Sequence, residues 1–237
     1  MTDSATDVRN AASARPALVI AVDGPSGAGK SSAARGVAAR LGLRYLDTGA
    51  MYRAVTWWLL EHGIDLTDTA AVRRDGLGLR IDIGTDPGEQ RVRVEGTDVT
   101  TAIRGRQVSN MVSLVAAVPE VRGRLVAQQR AIVAAAAEAG GIVAEGRDIG
   151  TVVAPDATVK VFLTASEQAR AERRSAELPA GAATSELTRA EQAVRDGRDA
   201  PQSQMAPDAV LIDATDIGLE DVIGRIVGLA LAQRAGA

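Results

Sequence analysis

Apolar residues in this chain gather into short unbroken runs that alternate with longer, helically spaced stretches, the pattern of buried parallel strands joined by helices. ALVIAV, stopping at Asp23, reads as the first strand, and SSAARGVAARLG reads as a helix ending at Gly42. LRYLDTG is a short strand running into a turn at Asp47, Thr48 and Gly49. AMYRAVTWWLLEHG then predicts a helix with Ala54, Trp57, Trp58 and Leu60 mostly buried and His62 on the surface at its end. Between residues 65 and 105 the period changes to two. LGLRIDIG and QRVRVEG alternate apolar and polar positions around the turn residues TDPGE, which predicts an inserted antiparallel hairpin with one face, including Arg91 and Arg93, open to solvent. Two helices follow, divided near Pro119, the second with Val121, Leu125, Ile132 and Val133 as its apolar stripe. GGIVAEG and ATVKVFLTAS read as further buried strands. EQARAERRSAEL and RAEQAVRDGRDAPQSQ are arginine-bearing segments on either side of the loose PAGAATS, DAVLID is a last strand, and LEDVIGRIVGLALAQR is a closing amphipathic helix. The expected class is α/β, a central parallel sheet flanked by helices with an inserted antiparallel β-hairpin subdomain.

Composition narrows the chemistry. With 237 residues, 46% of them hydrophobic and 24% charged, the chain can bury a substantial core, and residues 16 to 235 are expected to form a single domain behind a flexible tail at residues 1 to 15. A formal net charge of −3 gives no sign of a nucleic-acid or anionic-membrane partner, which would usually need a basic face, and neither partner is expected. The absence of cysteine excludes disulfides, thiolate nucleophiles and thiolate metal sites, and one histidine excludes a multi-histidine site. No apolar run approaches the roughly 20 residues needed to cross a bilayer, and the first residues lack the apolar core of a signal peptide, so a cytoplasmic protein is expected, with a monomer as the default because no spare apolar helix face is evident.

The first strand and helix enclose the sharpest motif. Gly24, Pro25, Ser26, Gly27, Ala28, Gly29, Lys30 and Ser31 satisfy G-x-x-x-x-G-K-[ST], with Ser32 continuing into the helix. Around a triphosphate the backbone N–H groups must turn inward, which glycines permit, and the helix adds its positive N-terminal end. Lys30 would reach the β- and γ-phosphates, and the Ser31 hydroxyl would bind Mg²⁺. Lys30 is one of only two lysines, the other being Lys160, so arginine supplies nearly every other positive charge. Glu145, Arg147 and Asp148 leave the end of a buried strand in one loop, at the sheet edge where α/β proteins bind ligands, and Glu145 is a second candidate for Mg²⁺. Tyr52 and Arg53 open a helix beside the same edge, where an arginine can bind a second phosphate. Arg170, Arg173 and Arg174, then Arg195, Arg198 and Asp199, suit a mobile helical lid over residues 166 to 203 that closes on phosphates and excludes water, and ATDIG is a loop that could border a purine. The loop motif alone fits other small-molecule kinases, acting on AMP, shikimate or dephospho-coenzyme A, and also a GTPase switch, although neither lysine has the [NT]-K-x-D neighbours of a guanine site.

Taken together and in order, GPSGAGKSS, LDTGAMYR, EGRDIGTVV, PDATVKVFLTAS and VRDGRD resemble the bacterial cytidylate kinases, a nucleoside monophosphate kinase family of P-loop fold. The likeness spans residues 17 to 230 and includes the hairpin insert, which resembles an enlarged monophosphate-binding region over residues 48 to 118. It implies transfer of the γ-phosphoryl group of ATP to CMP or dCMP with Mg²⁺. It also implies that Thr48, Tyr52, Arg53 and Arg147 hold the acceptor phosphate. Ser113, Arg122 and Asp148 would read cytosine, and Arg195 with Asp199 would hold phosphate and ribose as the lid closes. Lys30, Arg53, Arg147 and Arg195 are the implied catalytic cations, and Arg170 and Arg174 the implied ATP contacts from the lid. One departure stands out: the family usually has a further arginine three residues after the aspartate matching Asp199, and here the residue is Gln202.

Overall fold

A computed structural model of the chain describes residues 17–177 and 185–236. The expected tail and all but the last residue of PAGAATS lie outside the described residues. Five strands form a parallel sheet: β1 (Leu18–Asp23), β2 (Arg44–Asp47), β6 (Gly141–Gly146), β7 (Val159–Thr164) and β8 (Val210–Asp213), in the order β2-β6-β1-β7-β8. The register decides the site. Asp47 lies opposite Glu145, and Asp23 opposite both Gly146 and Phe162, so three strands deliver their last acidic or glycine residues to one edge.

Hydrophobic side chains cover both faces of the sheet, which is why β1 and β6 carry no polar alternation. On one face Leu18, Ile20 and Val22 pack with Val37, Ile223 and Ile226, from α1 (Lys30–Leu41) and α8 (Leu219–Ala235). The two helices run so close that a Cβ on Gly36 would lie 2.3 Å from Ile223 Cδ1. On the other face Ala21, Ile142 and Ala144 pack with α2 (Thr48–Glu61), α4 (Arg106–Ala116) and α5 (Pro119–Glu138). Pro119 opens α5, where its missing N–H costs no helical bond, and Val121, Leu125 and Val133 form its buried stripe with Ile132 partly covered.

Several elements differ from the sequence expectation. Asp47, Thr48 and Gly49 are not a free turn: Asp47 caps α2 by accepting from Ala50 N at 2.8 Å, and the helix starts at Thr48. Within α2 the fully buried apolar side chains are Ala50, Met51, Ala54, Val55 and Leu59, while Trp57, Trp58 and Leu60 are partly covered. Trp58 stacks on His62, which is exposed at the helix end. An eight-residue helix, α3 (Thr69–Gly76), is capped by Asp68, whose carboxylate accepts from Ala70 N and Ala71 N. The expected hairpin, β3 (Ile81–Ile83) and β4 (Val92–Val94), carries a third strand, β5 (Thr97–Asp98), joined through Glu95 and Gly96 at positive φ. Ile81, Val92 and Val94 face the core, and Arg91 and Arg93 face solvent. β7 is buried on alternate residues only, and β8 is an exposed edge with a single buried side chain, Ile212. α6 (Glu167–Glu177) and α7 (Ser185–Asp199) pack together, and a 3₁₀ turn (Ala200–Gln202) follows. Among the described residues no helix is long and apolar enough to cross a membrane.

Candidate active site

The loop from β1 into α1 has three glycines at positive φ: Gly24 at 145°, Gly27 at 75° and Gly29 at 92°. A Cβ on Gly24 would lie 2.0 Å from Leu163 O, and one on Gly27 would lie 2.8 Å from Arg170 O. Gly29 caps α1 without a side-chain hydrogen bond, which leaves the first N–H groups of the helix directed at the cleft. Lys30 folds back so that Nζ donates to Pro25 O at 2.8 Å. Burial, reinforced by the nearby Arg147 charge, pushes its ammonium down to about 7. An anion at the loop would reverse that penalty.

Glu145, at the end of β6, gathers hydroxyls. Ser31 Oγ donates to its Oε1 at 2.5 Å and Tyr45 OH at 3.0 Å, while Thr48 Oγ1 donates to its backbone carbonyl at 2.8 Å. Burial and the Asp47 carboxylate push the Glu145 carboxyl upward. The Ser31 hydroxyl and Glu145 carboxylate form a hard oxygen pair of the kind Mg²⁺ takes, and no larger cluster of metal-ligating side chains occurs among the described residues.

Beside it stand the arginines. Arg53 Nη2 lies 2.7 Å from Asp47 Oδ2, and Arg104 Nη2 lies 3.7 Å from the same oxygen. Burial works to raise the Asp47 carboxyl, but these two guanidinium groups together with the Ala50 N–H hold it below the usual range. Arg147 Nη1 donates to Gly24 O at 2.7 Å and Nε to Asp199 Oδ2 at 3.1 Å, joining the phosphate loop to the end of α7. Arg195 Nη1 reaches Ser26 Oγ at 3.4 Å, and burial together with Arg147 pushes its guanidinium down to about 9. Asp199 Oδ1 accepts from Ser113 Oγ at 2.7 Å. Arg122 pairs with Asp148, whose carboxyl burial nonetheless pushes upward.

These groups line one cleft of about 570 Å³. Of the sequence-predicted residues, Ser26, Gly27, Gly29, Lys30, Ser31, Ser32, Thr48, Tyr52, Arg53, Ser113, Arg122, Glu145, Arg147, Asp148, Arg174, Arg195 and Asp199 are on its wall. Gly24, Pro25 and Ala28 lie behind it, shaping the loop. Arg170 also lies behind: it donates to Ser26 O at 3.0 Å and pairs with Asp196, whose carboxylate accepts from Ser26 N at 3.3 Å. Arg173 turns to the carbonyl of Ala214, and residues 214–218, expected beside a purine, do not line the cleft. Sequence reasoning missed Asp47, Arg35, Gln90, Thr100 and Arg104, while Gln202, singled out as a departure from the family, is on the wall. The acidic end of β2 beside LDTG could have signalled Asp47, but Gln90, Thr100 and Arg104 come from the insert and the turn after it, with no motif of their own. The wall has eight basic side chains against four acidic ones, a local excess suited to a polyanion in a chain of net charge −3.

A parallel sheet with a glycine-rich loop, an oxygen pair and a ring of arginines at one edge defines a P-loop phosphotransferase. The family model for cytidylate kinase matches residues 20–232. A cytidylate kinase of Streptomyces avermitilis is 48% identical over 224 residues, covering 93% of this chain and 95% of that protein, and one of Rhodococcus jostii is 50% identical, covering 93% and 97%. The chain belongs to the cytidylate kinase family. A solved structure of an uncharacterized protein from Eubacterium ventriosum, 11% identical, has a TM-score of 0.50 over 91% of this chain and 99% of that one, a likeness of fold alone.

Proposed function

We infer that this cleft transfers the γ-phosphoryl group of ATP to CMP or dCMP, giving ADP and CDP or dCDP. The observation that carries the reading is the junction of the phosphate loop with the loop after β6: Arg147 Nη1 bonds Gly24 O at 2.7 Å while its neighbour Asp148 pairs with Arg122. One short segment therefore addresses a phosphate on one side and a polar ring on the other.

The loop amides and Lys30 bind the ATP phosphates, with Arg174 on the cleft wall and Arg170 bracing Ser26 from behind. Ser31 and Glu145 would hold Mg²⁺, which neutralises charge on the phosphate oxygens when bound. Thr48, Tyr52, Arg53 and Arg147 hold the acceptor phosphate. The internal ion pairs of Arg53 and Arg147 fix their guanidinium groups in advance, so less order is lost on binding. Cytosine offers one exocyclic amine donor and two ring acceptors, which match a carboxylate at Asp148 and donors at Arg122 and Ser113. Arg195 and Asp199 hold phosphate and ribose. Residues 48 to 118 serve as the monophosphate-binding region, and residues 166 to 203 close as a lid. Phosphoryl transfer through a loose, charged transition state needs alignment and charge stabilisation, and an ionised acceptor phosphate needs no strong base. We propose a monomer in the cytoplasm, and a net charge of −3 fits the absence of nucleic-acid or anionic-membrane partners.

The test is transfer of label from γ-labelled ATP to CMP. Labelled CDP is expected with the wild type, and Lys30→Ala should lower the rate by about a thousandfold or more with little change in Tm. A variant that keeps near-normal turnover would remove Lys30 from the reaction. Release of labelled inorganic phosphate without CDP would remove CMP as the acceptor.

A further inference from the structure

Gln202 ends the 3₁₀ turn after α7, and its side-chain amide is held at both ends. Oε1 accepts from Arg122 Nη1 at 2.8 Å, and Nε2 donates to Ala116 O at 3.3 Å. Both partners belong to the wall that faces the base. Ala116 closes α4, three residues after Ser113, and Arg122 lies in the first turn of α5 with its Nη2 on Asp148. Earlier in the same segment, Asp199 accepts from Ser113. The short stretch from residue 199 to 202 therefore reaches Ser113 directly and Asp148 through Arg122.

A guanidinium is rigid and planar, so anchoring both terminal nitrogens fixes the directions of its remaining N–H groups. Arg122 has one anchor from its own wall, Asp148, and one from the end of α7, Gln202. We infer that Gln202 is a specificity-determining positioning residue: it aims the Arg122 guanidinium at the pyrimidine and couples the seating of the α7 segment over the cleft to reading of the base. This rests on the reading of the cleft as a cytidine nucleotide site. Unlike an arginine, the neutral amide here offers an oxygen that accepts from Arg122. The residue that the family resemblance assigns to phosphate binding serves here on the base side.

The test compares wild type, Gln202→Met and Gln202→Glu in steady-state kinetics with ATP and either CMP or UMP, with Tm measured for each. Methionine keeps the length of the side chain and removes both hydrogen bonds, while glutamate keeps the acceptor for Arg122. For Gln202→Met, KM for CMP should rise about tenfold while kcat at saturating CMP stays within about twofold, and the CMP-over-UMP ratio of kcat/KM should fall by a similar factor. Gln202→Glu should hold both quantities within about threefold of wild type. An unchanged CMP-over-UMP ratio in Gln202→Met would overturn the inference, as would equal losses in the two variants. Absence of CMP turnover in the wild type would remove the reading of the cleft itself, and the inference with it.

Discussion

Asp23 ends β1 where the phosphate loop begins, and its two carboxylate oxygens accept from Ile149 N and Gly150 N, each at 2.8 Å. It therefore ties the root of the phosphate loop to the segment after Asp148, where a short π-helical turn, Ile149–Val153, carries the chain away. Burial, with a smaller contribution from Asp148, pushes its carboxyl up from 3.8 to about 6 despite those two donors. The folded protein keeps a proton that the unfolded chain releases across that interval. The contribution of Asp23 to stability is therefore present below about 4 and falls, by about 3 kcal/mol in all, as pH rises through the folded value. Asp23→Asn removes the titration and turns an amide NH₂ toward one backbone N–H, so any deficit of the variant is largest at acid pH, where wild-type Asp23 keeps its proton. Its stability relative to wild type should rise by about 3 kcal/mol between pH 3 and pH 7, read by urea unfolding at stepped pH. A deficit that stays constant across that interval would contradict the assignment.

The phosphate loop is the element on which the site depends, and its shape is set by backbone more than by side chains. At Gly24 the φ of 145° and the 2.0 Å approach of an added Cβ to Leu163 O leave no room for another residue. Gly24→Ala should cost about 3 kcal/mol or more in unfolding free energy and weaken ATP binding, and a loss under about 1 kcal/mol would show that β7 can give way. This element was legible in advance because strand, loop and helix announce themselves through consecutive residues. The same holds for the arginine and aspartate after β6. α3 was not legible, since its eight residues bury only Ala71, Val72 and Gly76 and show no helical stripe. β5 has two exposed residues and exists only by pairing with β4. Arg104 and Gln90 reach the cleft because α2 and the small sheet pack together, a relation between distant segments that no local pattern carries. The destination of each α6 arginine was hidden for the same reason: Arg170, Arg173 and Arg174 lie within five residues and go to Ser26, Ala214 and Ser109.

At the scale of the whole molecule, two hydrophobic clusters on opposite faces hold the sheet rigid while everything polar with a candidate role collects at one edge. The register sets Asp47 level with Glu145 and Asp23 one residue further on, so the oxygen pair and the root of the phosphate loop are positioned by strands rather than by free loops. α7 supplies the remaining wall through Arg195 and Asp199. On the proposed reading, acceptor choice rests on Ser113, Arg122, Asp148 and Gln202, not on aromatic stacking, in a chain with only 2% aromatic residues. The most direct measurement is the rate of ADP release with ATP and Mg²⁺ when CMP, dCMP, UMP, AMP, shikimate and dephospho-coenzyme A are offered in parallel. Rapid turnover confined to CMP and dCMP, with UMP slower, is the predicted result. Preferred turnover with AMP, shikimate or dephospho-coenzyme A, or ADP release that no acceptor stimulates, would contradict it.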